Sequence, residues 1–299
     1  MMHVDLADHT PDSVLPLDPE FADEYRAVTD DGARRAATMS AVFVGLARDC
    51  GAVLPANLWR IEEMGRQFRS WSAVVVENDS SDNTKEILDT WARSRDHCHV
   101  LTADNGRPHL HGFEKERMHA LAEYRGMYHS FVREHYDDAS VVVVLDLDVW
   151  GGYGGLLNGI GWLGRMGPRV GGMASTSVFQ ARVHTGELIW LHYDQFAWRW
   201  QGWRNRMYEP WWPLWLPPVG SRPIRVCSSF GAMAVYRTQA FLDGTYWSDD
   251  GDIEHVGLHR DMAKRGWSMW HNPSQRVVML WEPTDAGCDG DDQRCAVPG

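Results

Sequence analysis

The sequence predicts an α/β fold with a mostly parallel central sheet flanked by helices, and three observations carry that reading. From Met39 onward, short β-branched runs alternate with stretches of helical period, the order expected when each strand is followed by a crossover helix. One run, Val141-Val142-Val143-Val144-Leu145, is apolar at every position, as in a central strand buried on both faces. The chain has 299 residues, 44% of them hydrophobic and 23% charged, which is enough apolar mass for a large core.

The elements follow in order. Residues 1–38 are polar and proline-punctuated and read as an N-terminal extension. Ala41 to Leu46 is the first strand. A turn at Arg48-Asp49-Cys50-Gly51 leads to a helix whose Leu58, Ile61, Met64 and Phe68 keep the helical period, with Asn57 as its N-cap. The second strand, Ala73 to Val76, runs into a polar turn from Glu77 to Thr84 and a helix with Ile87, Leu88 and Trp91 inward. Asn83 and Glu86, three apart, suit a capping arrangement there. His99 to Thr102 forms a third strand. A long helix follows, with Met118, Leu121, Ala122, Tyr128, Phe131 and Val132 on one face, before the apolar run that ends in Asp146-Leu147-Asp148. Beyond Asp148 the texture changes. Residues 151–172 are glycine-rich, 190–215 hold seven of the sixteen tryptophans, and 210–223 are broken by prolines. No internal repeat appears, and this half reads as a continuation of the same sheet.

Acidic residues outnumber basic ones by 41 to 29, for a net charge of −12, which argues against nonspecific coating of nucleic acid. The five cysteines are scattered, without CxxC or finger spacing, and read as reduced thiols of a cytoplasmic protein. The first thirty residues lack the apolar stretch of a signal peptide. No apolar run approaches the roughly 20 residues of a membrane helix, so no integral membrane contact is expected.

On an extended segment Asp146 and Asp148 project to one side and Leu147 to the other. Paired carboxylates at the carboxyl end of a buried strand lie where open α/β sheets take ligands. Hard oxygen donors of this kind suit Mg²⁺ or Mn²⁺, which in turn neutralises a departing diphosphate. The turn Glu77-Asn78-Asp79-Ser80-Ser81-Asp82-Asn83-Thr84 ends another strand and opens a helix, where acids and hydroxyls can meet a nucleotide.

Strand-VVVENDSSDNT-helix followed by VVVVLDLD resembles the GT-A glycosyltransferases, a Rossmann-like fold whose nucleotide-sugar half carries an acidic turn and then a DxD motif. GLARDC after the first strand, CSSFGAMAVYR at 227–237 and DIEHVGLH at 252–259 are similar to the capsule-associated mannosyltransferase-like proteins and their viral and phage relatives. The resemblance covers about residues 40–282. It implies a domain over 39–285, split into a nucleotide-sugar half (39–150) and an acceptor half (151–285) with a Trp/Pro-rich extension, then a tail at 286–299. By the same resemblance Glu77 contacts the nucleobase or ribose, Asp79 and Asp82 shape the turn, and Arg125, with Arg117 beside it, is directed at the donor. Asp146 contacts the donor's ribose or sugar and Asp148 binds metal. Glu254 is the general base of an inverting reaction or positions the acceptor in a retaining one. The family's usual metal histidine after the last core strand is missing, and His259 or His271 is the candidate replacement. His255, expected among the acceptor contacts, shares a helical face with His259. Ser228, Ser229, Phe230 and Gly231 form the loop expected against donor sugar and acceptor.

Between Gln195 and Val226 stand five arginines and one acid, interleaved with Trp198, Trp200, Trp203, Trp211, Trp212 and Trp215. Indoles stack on sugars and on nucleobases alike, and arginine adds phosphate contacts. With Arg204, Trp203, Trp211 and Trp212 are the expected acceptor contacts, and the acceptor is a glycan or a hydroxymethylated pyrimidine in DNA. The function expected is metal-dependent transfer of a hexose from a nucleotide diphosphate sugar, UDP-glucose or a similar UDP-hexose first. Two alternatives remain: a non-catalytic carbohydrate- or DNA-binding protein, and a nucleotidyltransferase. The second wants a glycine-rich phosphate turn with a basic residue, which Gly45-Leu46-Ala47-Arg48 supplies poorly.

Overall fold

The computed structural model describes residues 10–110, 114–182, 185–194, 196–204 and 214–279. The elements are α1 (Pro11–Val14), α2 (Ala22–Ala36), β1 (Ser40–Ala47), α3 (Leu54–Gly65), β2 (Ser70–Glu77), α4 (Thr84–Arg93), β3 (Cys98–Thr102), α5 (Lys115–His135) and β4 (Val141–Asp146). The second half holds β5 (Gly152–Gly154), α6 (Leu156–Arg165), β6 (Val170–Arg182), β7 (Leu188–His192), β8 (Ile224–Val226), β9 (Met233–Arg237), α7 (Thr238–Asp243), α8 (Glu254–Lys264) and β10 (Ser268–Met279).

The ten strands of the described residues join one sheet, whose main path is β3-β2-β1-β4-β9-β6-β10-β5. The first four are parallel, as the alternating pattern predicts. From β9 onward the sheet is mixed: β9 is antiparallel to β4 and β6, whereas β10 runs parallel to β6. The expectation of a mostly parallel sheet therefore holds for the first half alone. The second half does continue that sheet.

Alternation along the central strands builds two cores. Ala41, Phe43, Val141, Val143 and Leu145 pack with α2, α3, α4 and α6, while Val42, Val44, Val142 and Val144 pack with α5, α7 and α8. Continuous apolarity in β4 thus has the cause inferred from sequence, since each face meets its own helix layer.

The residues expected as an N-terminal extension are folded onto this body from Pro11 to Ala36. Val28 and Ala36 are fully buried in the core. Helix α2 crosses α6 at glycines: a Cβ on Gly32 would lie 1.8 Å from the Leu157 carbonyl oxygen, and one on Gly161 would lie 2.1 Å from that of Val28. Two helix expectations also change. Asn57 is not an N-cap but sits inside α3, fully buried. At α4, Asn83 holds the cap position without a side-chain bond, and Asp82 Oδ1 accepts from Thr84 N at 2.9 Å instead. Phe68 lies beyond the end of α3, though still buried. Among the described residues no helix is long and apolar enough to cross a membrane. Cys50, Cys98 and Cys227 are free thiols, and burial pushes the first two up to about 12.

Candidate active site

The carboxyl ends of β1, β2 and β4 open into a cavity of about 280 Å³. Its walls also take in α5, the loop after β3, the segment after β7, the turn before β9 and the start of α8. A larger, shallower groove of about 640 Å³ between α3 and α4 holds none of the clustered acids.

Asp146 and Asp148 both face the cavity. Asp148 is exposed within it, and its carboxylate makes no hydrogen bond or ion pair with another described residue. Desolvation by the surrounding walls, then the charge of Asp146, pushes its carboxyl up to about 6. The backbone around it is tied down. Asp146 N donates to the Ala232 carbonyl, and the Tyr153 hydroxyl donates to the carbonyl of Asp146.

Arg125 comes up from α5, buried, and binds two acids at once. Its Nε donates to Glu254 Oε1 at 2.9 Å, Nη2 to Asp146 Oδ1 at 3.1 Å and Nη1 to the Tyr128 hydroxyl at 3.1 Å. Burial alone would weaken its proton, but Tyr128, Glu254 and Asp146 outweigh that and hold it firmly cationic. The guanidinium lies over the Phe230 ring, 5.3 Å from its centroid. On Phe230 His255 is stacked too, at 3.7 Å and 17°. Glu254 opens α8, where a carboxylate complements the helix dipole. Two chain segments 129 residues apart are thus joined by one guanidinium.

The remaining expected residues divide. Arg117 lines the cavity. Glu77, Asp79 and Asp82 stand one layer behind it and build the turn. Glu77 Oε1 accepts from Ser80 N, Asp82 Oδ2 from Gly51 N, and Asp79, itself at a positive φ of 51°, accepts at Oδ1 from Gly106 N. Asp79 and Asp82 are thus engaged with backbone N–H groups and do not line the cavity, whereas Asn78 does.

His259 is not available to a metal. Its Nδ1 is bonded to Ser228 Oγ at 2.7 Å and its Nε2 to the Tyr236 hydroxyl at 2.9 Å, and burial drops it to about 3. His271 is used in the same way, by Ser229 Oγ and Thr176 Oγ1. Ser228 and Ser229 therefore turn inward, and of the expected loop only Phe230 lines the cavity. His255 also lines it, with neither ring nitrogen hydrogen-bonded, and burial, then Arg125, holds the ring neutral. Among the described residues no group of three or more His, Cys, Asp and Glu is arranged to hold a metal.

Of the tryptophan-arginine stretch, Trp198 and Arg199 are interior, whereas Trp200, Arg204, Arg222 and Arg225 are exposed. Trp198 is buried against His271 and Trp215. Arg199 is buried, pairs with Asp252 at 2.6 Å and donates to the Phe196, Trp198 and Trp203 carbonyls. Trp203 is half-buried beneath Arg260 and Arg204 is exposed; neither lines the cavity. Trp211 and Trp212 lie outside the described residues.

Sequence reasoning passed over Asp194, Tyr193 and Arg107, all on the cavity wall, and weighed Arg48, which is also there, only as part of a poor phosphate turn. Asp194 Oδ2 accepts from Phe230 N at 3.1 Å and Gly231 N at 2.6 Å, and Oδ1 from Ala197 N at 3.3 Å. It fixes a turn that only glycine can make, because Gly231 has a φ of +68° and a Cβ there would lie 2.0 Å from the Ser175 carbonyl oxygen. Desolvation raises the Asp194 carboxyl despite these donors. Arg48 Nη2 donates to the Arg107 carbonyl at 2.8 Å, tying the loop after β3 to the end of β1.

No protein-family model matches the sequence, and no curated protein matches it. Solved structures do. GalNAc-T7 with UDP, GalNAc and Mn²⁺ aligns over 94% of this chain and 55% of its own, with a TM-score of 0.54 and 12% identity. The mannosyltransferase PcManGT from Pyrobaculum calidifontis, in complex with GDP-Man and Mn²⁺, aligns over 87% of this chain and 66% of its own, at TM-score 0.44 and 14% identity. Glucosyl-3-phosphoglycerate synthase from Mycobacterium tuberculosis aligns over 84% of this chain and 74% of its own, at TM-score 0.44 and 11% identity. At such identities the likeness is one of fold, and the chain spans about half the length of the first. The fold is the GT-A type expected from sequence.

Proposed function

We propose that the chain is a metal-dependent glycosyltransferase that moves a hexose from a nucleotide diphosphate sugar, a UDP-hexose first, to a hydroxyl of a glycan. One observation carries the reading: two carboxylates at the end of β4, one of them not bonded to any other described residue, share a cavity with Arg48, Arg107, Arg117 and Arg125. That pairing of acids and guanidinia suits a cation together with a diphosphate.

Mn²⁺ or Mg²⁺ fits this donor set in a specific sense. Asp148 is a hard oxygen donor whose proton affinity is raised by desolvation and then by the charge of Asp146, which adds a second carboxylate. Asp148 and Asp146 would hold the cation together with ligands from outside the protein, as is common for Mg²⁺. Bound there, the cation supplies neutralisation of the charge that builds on the leaving diphosphate.

The chain's own residues do the rest. Arg48, Asn78, Arg107 and Arg117 receive the nucleotide and its phosphates at the ends of β1 and β2. Arg125 holds Asp146 and Glu254 at a fixed separation, and Glu254 orients the acceptor hydroxyl or takes its proton as the new bond to the anomeric carbon forms. Phe230 supplies an apolar wall against the sugar. Trp198 and Arg199 are interior and are lost from the basic aromatic surface on which a DNA acceptor rested, while Trp200, Arg204, Arg222 and Arg225 stay exposed.

Incubation with a panel of nucleotide sugars and either simple glycosides or hydroxymethylcytosine DNA, with the products weighed, tests this. The expected result is a hexose mass added to a glycoside. No product from any donor overturns the reading, and addition to DNA alone overturns the acceptor assignment.

A further inference from the structure

We propose that Asn57 is the positioning residue of Asp148, a backbone clip that presents its carboxylate to the cation; the inference rests on the metal reading above. Asn57 is fully buried in α3. Its Nδ2 donates to the carbonyls of Leu147 and Val149, each at 2.8 Å, the two residues that flank Asp148. Its Oδ1 accepts from Arg60 Nη1 at 2.7 Å, and Arg60 Nη2 reaches the Trp150 carbonyl at 3.4 Å. Both amide hydrogens are spent on the Asp148 segment, and the amide oxygen on the arginine that fixes the amide's orientation.

The contrast between backbone and side chain gives the arrangement its meaning. The carbonyls of Asp146, Leu147, Val149 and Trp150 are all bonded to side chains, while the Asp148 carboxylate bonds to no other described residue and accepts from its own backbone N–H alone. A rigid main chain under an unengaged carboxylate is the construction expected of a ligand held ready before its ion arrives. A side chain of similar volume cannot replace the clip. Leucine leaves two buried carbonyls without donors, and aspartate faces them with like charge.

The test measures Mn²⁺ affinity of the full-length protein with UDP present, from the paramagnetic resonance signal of the free ion. Groups that orient a metal ligand typically contribute 10–100-fold in affinity, so Asn57→Leu is expected to weaken Mn²⁺ binding by about that factor while circular dichroism stays native. Arg60→Met, which frees the amide to turn, weakens it less. Asp148→Asn abolishes it. Asn158→Leu serves as the matched control. Asn158 is equally buried, donates to Tyr25 O and Thr29 Oγ1 far from the acids, and its loss leaves the affinity unchanged.

A folded Asn57→Leu protein that binds Mn²⁺ like the wild type, beside an Asp148→Asn protein that does not, overturns the clip and spares the metal site. Wild-type binding by Asp148→Asn overturns the metal site and the clip together. Equal weakening in Asn158→Leu assigns the effect to stability and overturns the clip. Should Asn57→Leu fail to fold, unchanged affinity in Arg60→Met is the overturning result.

Discussion

Replacing Arg125 by methionine keeps most of the side-chain volume and removes the one cation that joins Asp146 to Glu254. Glu254 is 4% exposed, so its carboxylate cannot turn to water and is left without a counter-charge. A buried glutamate in that position escapes by binding a proton. The cost is about 1.4 kcal/mol for each pH unit above the free-glutamate value of about 4.3. That route caps the penalty at about 3.7 kcal/mol at pH 7 and about 1 kcal/mol at pH 5. The cap agrees with the roughly 3–5 kcal/mol usual for breaking a buried pair. Asp146, more exposed at 22%, adds little because water reaches it. The sign follows from linkage. In the variant the folded state binds more protons than the unfolded state, so its deficit grows as pH rises from about 4 to 7. Urea unfolding of both proteins at pH 5 and pH 7 measures it. A deficit larger by about 2–3 kcal/mol at pH 7 is expected, and a deficit equal at the two pH values, or below about 1 kcal/mol at both, refutes the bridging role.

Further outcomes follow from the same contacts. Because the Asp148 carboxyl is pushed up to about 6, protons compete with Mn²⁺ below that value. Calorimetric Mn²⁺ affinity should fall about tenfold per pH unit from pH 6 to pH 5 and stay nearly level above pH 7; a flat profile contradicts the assignment. Gly32→Ala places a methyl 1.8 Å from a backbone oxygen of α6, so it should destabilise the fold by about 1–3 kcal/mol in urea. An unchanged unfolding midpoint would mean that α2 is not docked as described. Asp194→Ala strips an acceptor from three backbone donors, each worth about 1–3 kcal/mol where water cannot replace it. Its melting temperature should drop and its transfer rate drop further, since Phe230 loses its anchor; full activity would exclude that anchoring role.

The parallel half of the fold was legible because β1, β2 and β4 carry unbroken apolar runs and end in polar turns. The same turns announced Asp146 and Asp148. The mixed half was less so: β9 and β6 have the composition of any buried strand, and nothing local in them states direction. The N-terminal helix escaped notice for a different reason. Its buried side is made of small residues, Gly32 and Ala36 beside Val28, and registers as polar sequence although close helix contact requires just that smallness. Asn57 could have been read correctly, since it falls on the stripe Leu54, Leu58 and Ile61, where an asparagine inside the core must have partners. His255 and His259 do share a face, as their spacing required, but that face is core and Ser228 and Tyr236 satisfy His259. Asp194 had no motif around it. Its role depends on a turn 36 residues later, which only tertiary structure brings beside it.

The central claim is that a cation held by Asp148 assists departure of a nucleoside diphosphate from its sugar. Release of UDP from UDP-hexoses, measured for wild type and Asp148→Ala with Mn²⁺ and again with chelator, tests it most directly. Release by the wild type is expected to stop on chelation and to be roughly 100-fold slower in the variant. Wild-type rates from Asp148→Ala, or rates untouched by chelator, would contradict it.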